Sequence, residues 1–553
     1  MIPPRTIFTA ILFSPVFTAF AYQWPSPQYD ALEQFVFEGT DHIGLDIGGV
    51  TRDCTHRDPS LKSTVAAEWV RLAYHDMATH NVDDGTGGLD ASIFFELDRA
   101  ENVGQGNVDT VTLDFSVSAN KYVSRADLIA LGVSWAVASC SGPIIPFKGG
   151  RVDALTAGRL GVPEPQQTLQ SHTESFRQQG FSPSDMIRLV ACGHTLGGVR
   201  NADFPDIVPN GDETFDTTTS YDHAVVSEYI AGTTSNPLIV VQDSTFASDL
   251  RIFSSDGNVT MNSLNSEETF KTTCSTLLQR MVNTVPNGVV LTDTIEFLLA
   301  KVSSAQITQV GSQLVFDVLF RLSQPPNVPV PPNRSVKLLW CDARGQFTNC
   351  NQRTNVASLP VAGTAVVSPI TEAQGITLPT YQFAAPIDAA ASVSKFWFQV
   401  DEGDGSPVQT YNNGGQGYII QQDQLIYLPG ISSFSLGNSG GINYNLVVGV
   451  RTESNPTSAT LHAFDKGGVQ SGPLTDITVN LVPVTIAGPP NVAPGYKTYT
   501  ATVNRPSIST SLTADFQVII DGVTYTEEFK QTLNIGNSPA LDRTLSTVTT
   551  IPS

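Results

Sequence analysis

The pattern of hydrophobic and polar positions changes character near residue 285. Before that point, apolar residues recur at three- and four-residue spacing, which predicts amphipathic helices. The segments with this spacing are Ala66–His75, Arg125–Ala138, Gln166–Gln179, Ser184–Cys192 and Glu267–Val282. Ser182-Pro183-Ser184-Asp185 is typical of a helix start, and Ser124 is placed to cap the helix that follows it. The chain up to residue 285 is therefore predicted to be mainly helical.

Beyond residue 285, short runs rich in Val, Ile and aromatic residues alternate with polar positions, which predicts strands. The clearest runs are Leu314–Phe320, Val336–Trp340, Lys395–Val400, Asn445–Val450 and Asp515–Ile520. Clusters of Gly, Pro, Asn and Ser separate them, as in antiparallel sandwiches. Because one such sandwich takes about 100 residues, we predict two immunoglobulin-like β-sandwich modules, at 290–430 and 431–553. They follow a mainly α domain at 22–285.

The first 21 residues have the features of a secretory signal peptide. Arg5 lies in a short basic region, an apolar run extends from Ile7 to Phe17, and Ala19-Phe20-Ala21 is a cleavage site of the A-x-A type. The apolar run is shorter than the ~20 residues that span a bilayer. We therefore expect a secreted, extracellular protein that is cut after Ala21.

The six cysteines fit this compartment, because an even number in a secreted chain predicts disulfides. Cys341 and Cys350 flank a turn and are expected to close a short loop. The pairing among the other four stays open at this point; these are Cys54, Cys140, Cys192 and Cys274. Asn258-Val-Thr260 and Asn333-Arg-Ser335 are acceptor sequences for N-glycosylation.

The formal net charge of −22 restricts the partners of the chain. Nucleic acid and anionic membranes would both repel it, so neither is an expected partner. Acidity also keeps a secreted protein soluble, and we expect a monomer.

The chemistry begins with Arg71 and His75, which lie four residues apart and so share one face of a helix. Splitting a peroxide O–O bond needs a base that takes a proton and returns it, and a cation that stabilises the developing negative charge. His75 can be the base and acid, and Arg71 the permanent cation. Taken alone, the same helix can be a surface ion-pair helix with an incidental histidine.

A second histidine, His194, follows the apolar segment Met186–Ala191 and precedes Gly197-Gly198, which would let a flat ligand approach closely. A histidine that binds haem iron needs a carboxylate on its other ring nitrogen. Asp249 is the first candidate for that carboxylate and Asp243 the alternative. A lone histidine in such a place is otherwise a core or surface residue.

Several segments, in this order along residues 40–285, resemble the plant-type haem peroxidase superfamily, and within it the secreted fungal peroxidases. They are Arg71-Leu-Ala-Tyr-His75-Asp76, Gly88-Leu-Asp90-Ala-Ser92, Ser124-Arg-Ala-Asp127-Leu128, Gly150-Arg-Val-Asp153, Gly193-His194-Thr195-Leu-Gly197, Phe215-Asp216, Tyr221-Asp222 and Ser248-Asp249-Leu-Arg-Ile-Phe253.

The resemblance implies a role for residues on each side of haem b. On the distal side it makes Arg71 and His75 catalytic, with Asn102 accepting a hydrogen bond from His75. On the proximal side it makes His194 the iron ligand and Asp249 its carboxylate partner. Phe215 would pack beside His194, where the intracellular branch of the family has tryptophan.

The resemblance also implies two structural calcium ions, which prefer oxygen ligands. The distal set would be Asp76, Gly88, Asp90 and Ser92. The proximal set would be Thr195, Asp216, Thr218 and Asp222.

Three positions depart from the family patterns. Tyr74 stands where Phe or Trp is usual beside the distal histidine. Of the three carboxylates that manganese-oxidising members use, only Glu68 is present; Thr64 and Arg200 take the other two places, which argues against manganese oxidation. Trp69 and Trp135 could act as surface electron-transfer sites, but as single aromatic residues on helices they are better explained by packing.

Together these observations predict a secreted fungal haem peroxidase, a hydrogen peroxide:donor oxidoreductase. Its partners would be hydrogen peroxide and a small phenolic or other aromatic donor, which is oxidised in one-electron steps. The β modules would contact cell wall, polysaccharide or protein, or serve only as a structural domain. The alternative is a non-catalytic cell-wall or carbohydrate-binding protein that retains a peroxidase fold.

Overall fold

The computed structural model describes the backbone of residues 18–20 and, in full, residues 24–116, 118–437, 441–464, 476–486, 492–505, 512–532, 535 and 544–553, with the backbone alone at 465 and 475. Most of the predicted signal peptide, at 1–17 and 21, lies outside these residues. Thr18–Phe20 form a short strand that pairs in parallel with Val523–Gln531. In the part of the chain described, the helices are all too short or too polar to cross a membrane.

The helical domain contains nearly all of the helices, and the predicted ones are confirmed at α2, α4, α5, α6 and α10. In chain order the α-helices are α1 (Pro27–Glu38), α2 (Val65–Met77), α3 (Gln105–Asp109), α4 (Arg125–Ser139), α5 (Leu169–Gln178), α6 (Pro183–His194), α7 (Ala224–Ala231), α8 (Ser248–Phe253), α9 (Val259–Ser263), α10 (Glu267–Val282) and α11 (Pro369–Ala373).

The helix starts follow the chemistry that the sequence indicates. The Ser182 hydroxyl accepts a hydrogen bond from the Asp185 backbone N–H, and the Asp185 carboxylate accepts one from the Ser182 N–H, so α6 begins with a capping box. The Ser124 hydroxyl caps α4 by accepting from the Asp127 N–H at 2.9 Å. These caps fix where α4 and α6 begin.

Helix α4 is buried along almost its whole length and packs against α2. The indoles of Trp69 on α2 and Trp135 on α4 are fully buried in this contact. A disulfide between Cys54 and Cys140 ties the end of α4 to a 3-10 helix, and one between Cys192 and Cys274 ties α6 to α10. These bonds settle the pairing that the sequence left open.

The rest of the chain is built mainly from strands. They are β1 (Thr18–Phe20), β2 (Gly198–Val199), β3 (Glu213–Thr214), β4 (Ala300–Val310), β5 (Gln313–Leu322), β6 (Ser335–Cys341), β7 (Thr354–Ser358), β8 (Val361–Thr364), β9 (Pro379–Pro386), β10 (Lys395–Asp401), β11 (Gln409–Tyr411), β12 (Tyr418–Ile419), β13 (Leu425–Tyr427), β14 (Ser433–Leu436), β15 (Ile442–Arg451), β16 (Ser458–Asp465), β17 (Thr475–Asn480), β18 (Val482–Val484), β19 (Tyr496–Arg505), β20 (Thr513–Ile520), β21 (Val523–Gln531) and β22 (Thr547–Ile551).

Within the described residues the strands form four larger sheets. Their orders are β4-β5-β9-β8, β11-β10-β6-β7-β22, β13-β15-β19-β18 and β1-β21-β20-β16-β17. All these pairs are antiparallel except β1 with β21. The prediction of a helical domain followed by a β-rich region is therefore confirmed, and the immunoglobulin-like topology stays a prediction.

Alternation of side chains places the two β cores. On β10, Phe396, Phe398 and Val400 are buried while the residues between them are not, as a strand with one covered face requires. One core lies around these residues, and a second lies around Leu446 and Phe516. Strand β22 pairs with β7, in the sheet that also contains β6 and β10. The chain therefore leaves the sheets around the first core, forms those around the second and then returns to the first.

Short helix α11 joins the β region to the helical domain. Ile370 on α11 is part of the hydrophobic core of the helical domain. The Thr371 hydroxyl donates to the Phe37 carbonyl at 2.7 Å. A side chain at Gly48 would place its Cβ 3.1 Å from Pro369, so this contact needs glycine. Loops and strands beyond residue 285 thus complete the packing of the first domain.

The Cys341–Cys350 disulfide in the β region confirms the predicted local loop.

A buried charge cluster forms a second contact between the two parts. Glu33 on α1 is fully buried and pairs with Lys301 on β4 at 2.9 Å and with Arg321 on β5. Arg321 also bonds Glu38 at 2.6 Å, and Lys301 bonds Asp30 at 3.0 Å. Because each charge has a partner of opposite sign, the cluster avoids the penalty for an isolated buried ion.

Replacing Glu33 with alanine should destabilise the whole chain, because Arg321 and Lys301 would stay buried with fewer partners. We expect a loss of about 3–5 kcal/mol in the free energy of unfolding, measured by denaturant titration with circular dichroism. Glu174→Ala, which removes an exposed carboxylate paired with Arg177, is the control and should leave the free energy of unfolding nearly unchanged, because an exposed ion pair contributes little to stability. Equal effects of the two substitutions would contradict a structural role for the cluster.

Candidate functional site

A cavity of about 540 Å³ lies between α2 and α6. Its lining includes Arg71 and His75 from α2 and His194 at the end of α6. Apolar side chains such as Leu189 and Met281 line the space between them. The volume falls in the range of small-molecule and cofactor sites, and histidines from two helices line it.

On the distal wall, His75 is held by an amide. Its Nδ1 lies 2.8 Å from the Asn102 Oδ1, and the Asn102 Nδ2 donates to the Glu96 carbonyl at 3.1 Å. Since the amide nitrogen faces a carbonyl, the amide oxygen must face the imidazole, which makes Nδ1 the donor. The basic lone pair then lies on Nε2.

Burial, together with the nearby Arg71 guanidinium, lowers the pKa of His75 to about 3. The imidazole is therefore neutral over the physiological range and is able to accept a proton. Burial also lowers the pKa of Arg71 to about 10, so its guanidinium stays charged near neutral pH. Arg71 Nη2 donates to the Val103 carbonyl at 2.8 Å.

A glycine makes room for this arginine. Gly104 has a φ of +129°, and a Cβ there would lie 2.9 Å from Arg71 Nη1. Any other residue would be strained and would displace the guanidinium.

On the proximal wall, His194 Nδ1 lies 2.8 Å from the Asp249 Oδ2. Asp249 is on α8 and is almost fully buried. The Phe215 ring stacks on the imidazole, with centroids 4.2 Å apart and planes 9° apart. Asp243, the alternative partner, is exposed and caps a turn by accepting from the Thr245 N–H. A Cβ built on Gly193 would meet no atom within 4 Å, so bare backbone faces the cavity beside His194.

No pattern in the sequence singles out Asn236, although its side chain contacts the same carboxylate. Its Nδ2 donates to the Asp249 Oδ2 at 2.8 Å, and the side chain is fully buried. An asparagine before proline in a polar loop is typical of a turn, so only the folded chain reveals this contact.

Glu68, the one match to a manganese site, is occupied by cations. Arg57 lies 2.8 Å from its Oε2, and Arg200 bonds its Oε1. Thr64 caps α2 by accepting from the Ala67 N–H. This arrangement supports the argument against a divalent cation here.

The aromatic residues near the site are packed inside the domain. Trp69 and Trp135 are fully buried, so neither is a surface electron-transfer site. The Tyr74 hydroxyl donates to the Gln179 Oε1 at 3.3 Å, and its ring stacks on Phe176. Tyr74 lines the cavity, whereas Trp69 and Trp135 pack in the hydrophobic core of the helical domain.

The predicted distal calcium ligands meet where α2 ends. Asp76 is fully buried and accepts from the backbone N–H groups of Ala91 and Ile93 at 2.8 and 2.9 Å. Asp90 accepts from the Ser92 N–H at 3.1 Å. Burial, and then the charge of Asp90, raises the pKa of Asp76 well above its ordinary value. The buried Ser92 hydroxyl has no hydrogen-bond partner.

The predicted proximal ligands meet beside His194. The Thr195 hydroxyl donates to the Asp222 carbonyl at 2.6 Å, and the Thr218 N–H donates to the Asp216 Oδ1 at 3.0 Å. Burial raises the pKa of Asp216 to about 7, and its buried Oδ2 has no hydrogen-bond partner.

Each set thus has two Asp residues and leaves one buried oxygen unpartnered, which fits an oxygen-preferring cation. The described residues contain no group of three or more His, Cys, Asp or Glu that could hold a metal. The proposed sets rely instead on hydroxyl and carbonyl oxygens for the rest of their ligands.

Comparison with known proteins shows the family. Residues 51–269 match the model of the peroxidase family. Over 544 residues the chain is 32% identical to a WSC domain-containing protein from Arthroderma benhamiae, and the match covers 94% of this chain and 71% of that protein.

Two plant proteins match shorter stretches of the chain. Putative L-ascorbate peroxidase 6 from Arabidopsis thaliana is 36% identical over 135 residues, 24% of this chain and 41% of its own. Peroxidase 36 from the same plant is 29% identical over 172 residues, 29% of this chain and 49% of its own. The chain therefore spans less than half of either plant protein.

Residues 51–269 form a domain of the peroxidase family, and the chain is related to the A. benhamiae protein over nearly its whole length. Members of this family generally bind haem, and a cavity lined by His75, His194 and the bare backbone of Gly193 would fit such a flat group. The narrower assignment to the secreted fungal branch stays a prediction.

Removing the disulfide beside His194 should strongly destabilise the helical domain. Cys192 and Cys274 are 82 residues apart in sequence, whereas Cys341 and Cys350 are 9 apart. Loop-closure entropy predicts losses of about 4.5 and about 2.6 kcal/mol when each pair is replaced by alanines. Denaturant unfolding of both double variants measures the difference. A larger loss for Cys341→Ala/Cys350→Ala would contradict this ranking.

Proposed function

We propose that this protein is a secreted haem peroxidase that reduces hydrogen peroxide and oxidises a small phenolic or other aromatic donor in one-electron steps. One observation carries the proposal: a single cavity is lined both by His75, which is held by Asn102, and by His194, which is held by Asp249. A protein that kept the fold only as a scaffold would need neither pair.

Haem b bound in the cavity would supply the iron at which peroxide is reduced and the electron exchange with the donor. His194 would hold it through Nε2, because Nδ1 is engaged by Asp249. The buried carboxylate raises the basicity of the imidazole and fixes its orientation. Phe215 restricts rotation of the ring by stacking on it.

The distal residues would handle the proton and the charge. His75 Nε2 takes the proton from one peroxide oxygen and returns it to the oxygen that leaves as water. Asn102 keeps the imidazole in the tautomer that permits this step. Arg71 stabilises negative charge on the departing oxygen, because its guanidinium remains protonated.

The aromatic donor is supported by the walls of the cavity. Phe176, Phe204 and Pro163 are among its lining residues, and they offer flat, apolar surface. Such surface suits a small phenol. Glu68 is already paired with Arg57 and Arg200, which leaves manganese without an open carboxylate there.

We further propose that Asp76, Gly88, Asp90 and Ser92 bind a distal calcium ion, and that Thr195, Asp216, Thr218 and Asp222 bind a proximal one. The unpartnered oxygens of Ser92 and Asp216 support this. Each ion would stabilise the segment that carries a site histidine, since Asp76 follows His75 and Thr195 follows His194.

The relative matched over nearly the whole chain is named for a WSC domain rather than for peroxidase activity. This favours a second candidate, a non-catalytic cell-wall or carbohydrate-binding protein that retains the peroxidase fold. In either case the β region would make any contact with cell wall or polysaccharide. Haem binding separates the two candidates.

The purified protein, reconstituted with haem, should show a Soret band and oxidise a phenolic dye in the presence of peroxide. His75→Leu should keep the Soret band and lose at least about 100-fold in peroxide-dependent rate, because the proton acceptor is gone. Stopped-flow absorbance after addition of peroxide measures this loss. His223→Leu, a surface histidine paired with Glu267, is the control and should react normally.

A protein with no Soret band after reconstitution would refute the enzyme proposal and favour the non-catalytic candidate. An unchanged rate in His75→Leu would refute its role as base.

Removal of calcium should lower the thermal unfolding midpoint, because buried carboxylates would lose their cation. Differential scanning calorimetry with and without chelator measures the shift, and added calcium should restore the midpoint. Asp76→Asn and Asp216→Asn should each weaken the response to chelator, whereas Asp243→Asn at an exposed cap should not. A midpoint that is the same with and without chelator would contradict both sites.

A further inference from the structure

We propose that Asn236 is a positioning residue that sets how strongly His194 donates electrons to bound haem, acting through Asp249. The inference rests on the proposed function, because it concerns the residue assigned as the iron ligand. It assigns a specific chemical role to a buried amide in the loop between α7 and α8.

The geometry concentrates two donors on one oxygen. The Asp249 Oδ2 accepts from the His194 Nδ1 at 2.8 Å and from the Asn236 Nδ2 at 2.8 Å. Among the residues that the structure describes, the other oxygen, Oδ1, has only the Ser248 hydroxyl, at 3.4 Å. Asn236 is 0% exposed and Asp249 is 1% exposed, so water does not compete for these contacts.

The amide of Asn236 is fixed in its orientation. The side-chain Oδ1 of Asn236 accepts from the Leu238 backbone N–H at 2.8 Å, and the backbone N–H of Asn236 donates to the Thr234 hydroxyl at 3.1 Å. Because the amide oxygen is bound to an N–H group, the amide nitrogen must face the carboxylate. The loop therefore presents a donor, and not an acceptor, to Asp249.

A second donor changes what the carboxylate does to the histidine. Negative charge on the Oδ2 is shared between two N–H groups, so its hydrogen bond to His194 is weaker than that of a carboxylate with no other partner. A weaker bond leaves the imidazole with less imidazolate character. The ligand then donates less to iron, which favours the reduced metal and raises its reduction potential.

Loss of the Asn236 donor should have the opposite effect. In Asn236→Leu, which has nearly the same shape, the Asp249 Oδ2 is left to His194 alone. The ferric/ferrous reduction potential should fall, and the iron–histidine stretching frequency of the ferrous protein should rise. Spectroelectrochemistry and resonance Raman spectroscopy measure these two quantities on the full chain reconstituted with haem.

Asn236→Ser provides a second route if the leucine variant does not fold. A serine hydroxyl is able to accept from the Leu238 N–H and keep the turn, but it is too short to replace the amide contact. It should shift both quantities in the same direction as leucine. Thr234→Val is the matched control, since it removes a hydrogen bond from the same turn and leaves the Asn236 amide on Asp249; it should shift neither quantity.

The Asp249→Asn background separates a positioning role from a merely structural one. If Asn236 acts through the carboxylate, Asn236→Leu should change neither quantity once Asp249 is replaced. An unchanged or higher potential in Asn236→Leu, or the same shift in the Asp249→Asn background, would overturn the inference. Absence of a Soret band in the unsubstituted protein would instead refute the proposed function on which it rests.

Discussion

The structure of the helical domain depends on one constraint: α2 and α6 must stay apart so that a cavity remains between their histidines. A cavity of about 540 Å³ is destabilising, because the side chains around it lack the van der Waals contacts of a packed core. The surroundings therefore have to resist its collapse. Helix α4 supports α2 through the contact of Trp69 with Trp135, and the disulfide from Cys192 to Cys274 fixes α6 against α10. A bound flat cofactor would restore the missing contacts.

The β region takes part in this support and is more than an appended module. Ile370 fills the core of the helical domain, and the buried charges of Glu33, Lys301 and Arg321 join α1 to β4 and β5. Buried ion pairs tolerate little displacement, because a separated charge has no solvent to receive it. The two parts of the chain should therefore move and unfold together.

Each site histidine is held through a chain of buried hydrogen bonds rather than by a single partner. His75 is held by Asn102, whose amide is oriented by a backbone carbonyl. His194 is held by Asp249, which is in turn shared with Asn236. The outer member of each chain decides what the inner one is able to do, because in a buried site a donor or acceptor without a partner is costly. An amide and a carboxylate therefore give the two imidazoles different electronic properties.

The sequence by itself predicted the helical domain, the β-rich region that follows it and the residues to which we assign the chemistry. Periodicity placed the helices α2, α4 and α6, because an amphipathic pattern depends only on local spacing, and the motifs around His75 and His194 indicated their roles. Only the tertiary structure chose Asp249 over Asp243, paired the four open cysteines and brought Asn236 to the carboxylate. Each of these contacts joins residues in different helices or loops. A local sequence pattern does not specify which of these elements will lie next to each other in the folded chain. The packing of the β region against the helical domain could not be predicted from the sequence for the same reason. Glu33 and Arg321, which form part of that contact, are separated by most of the first domain.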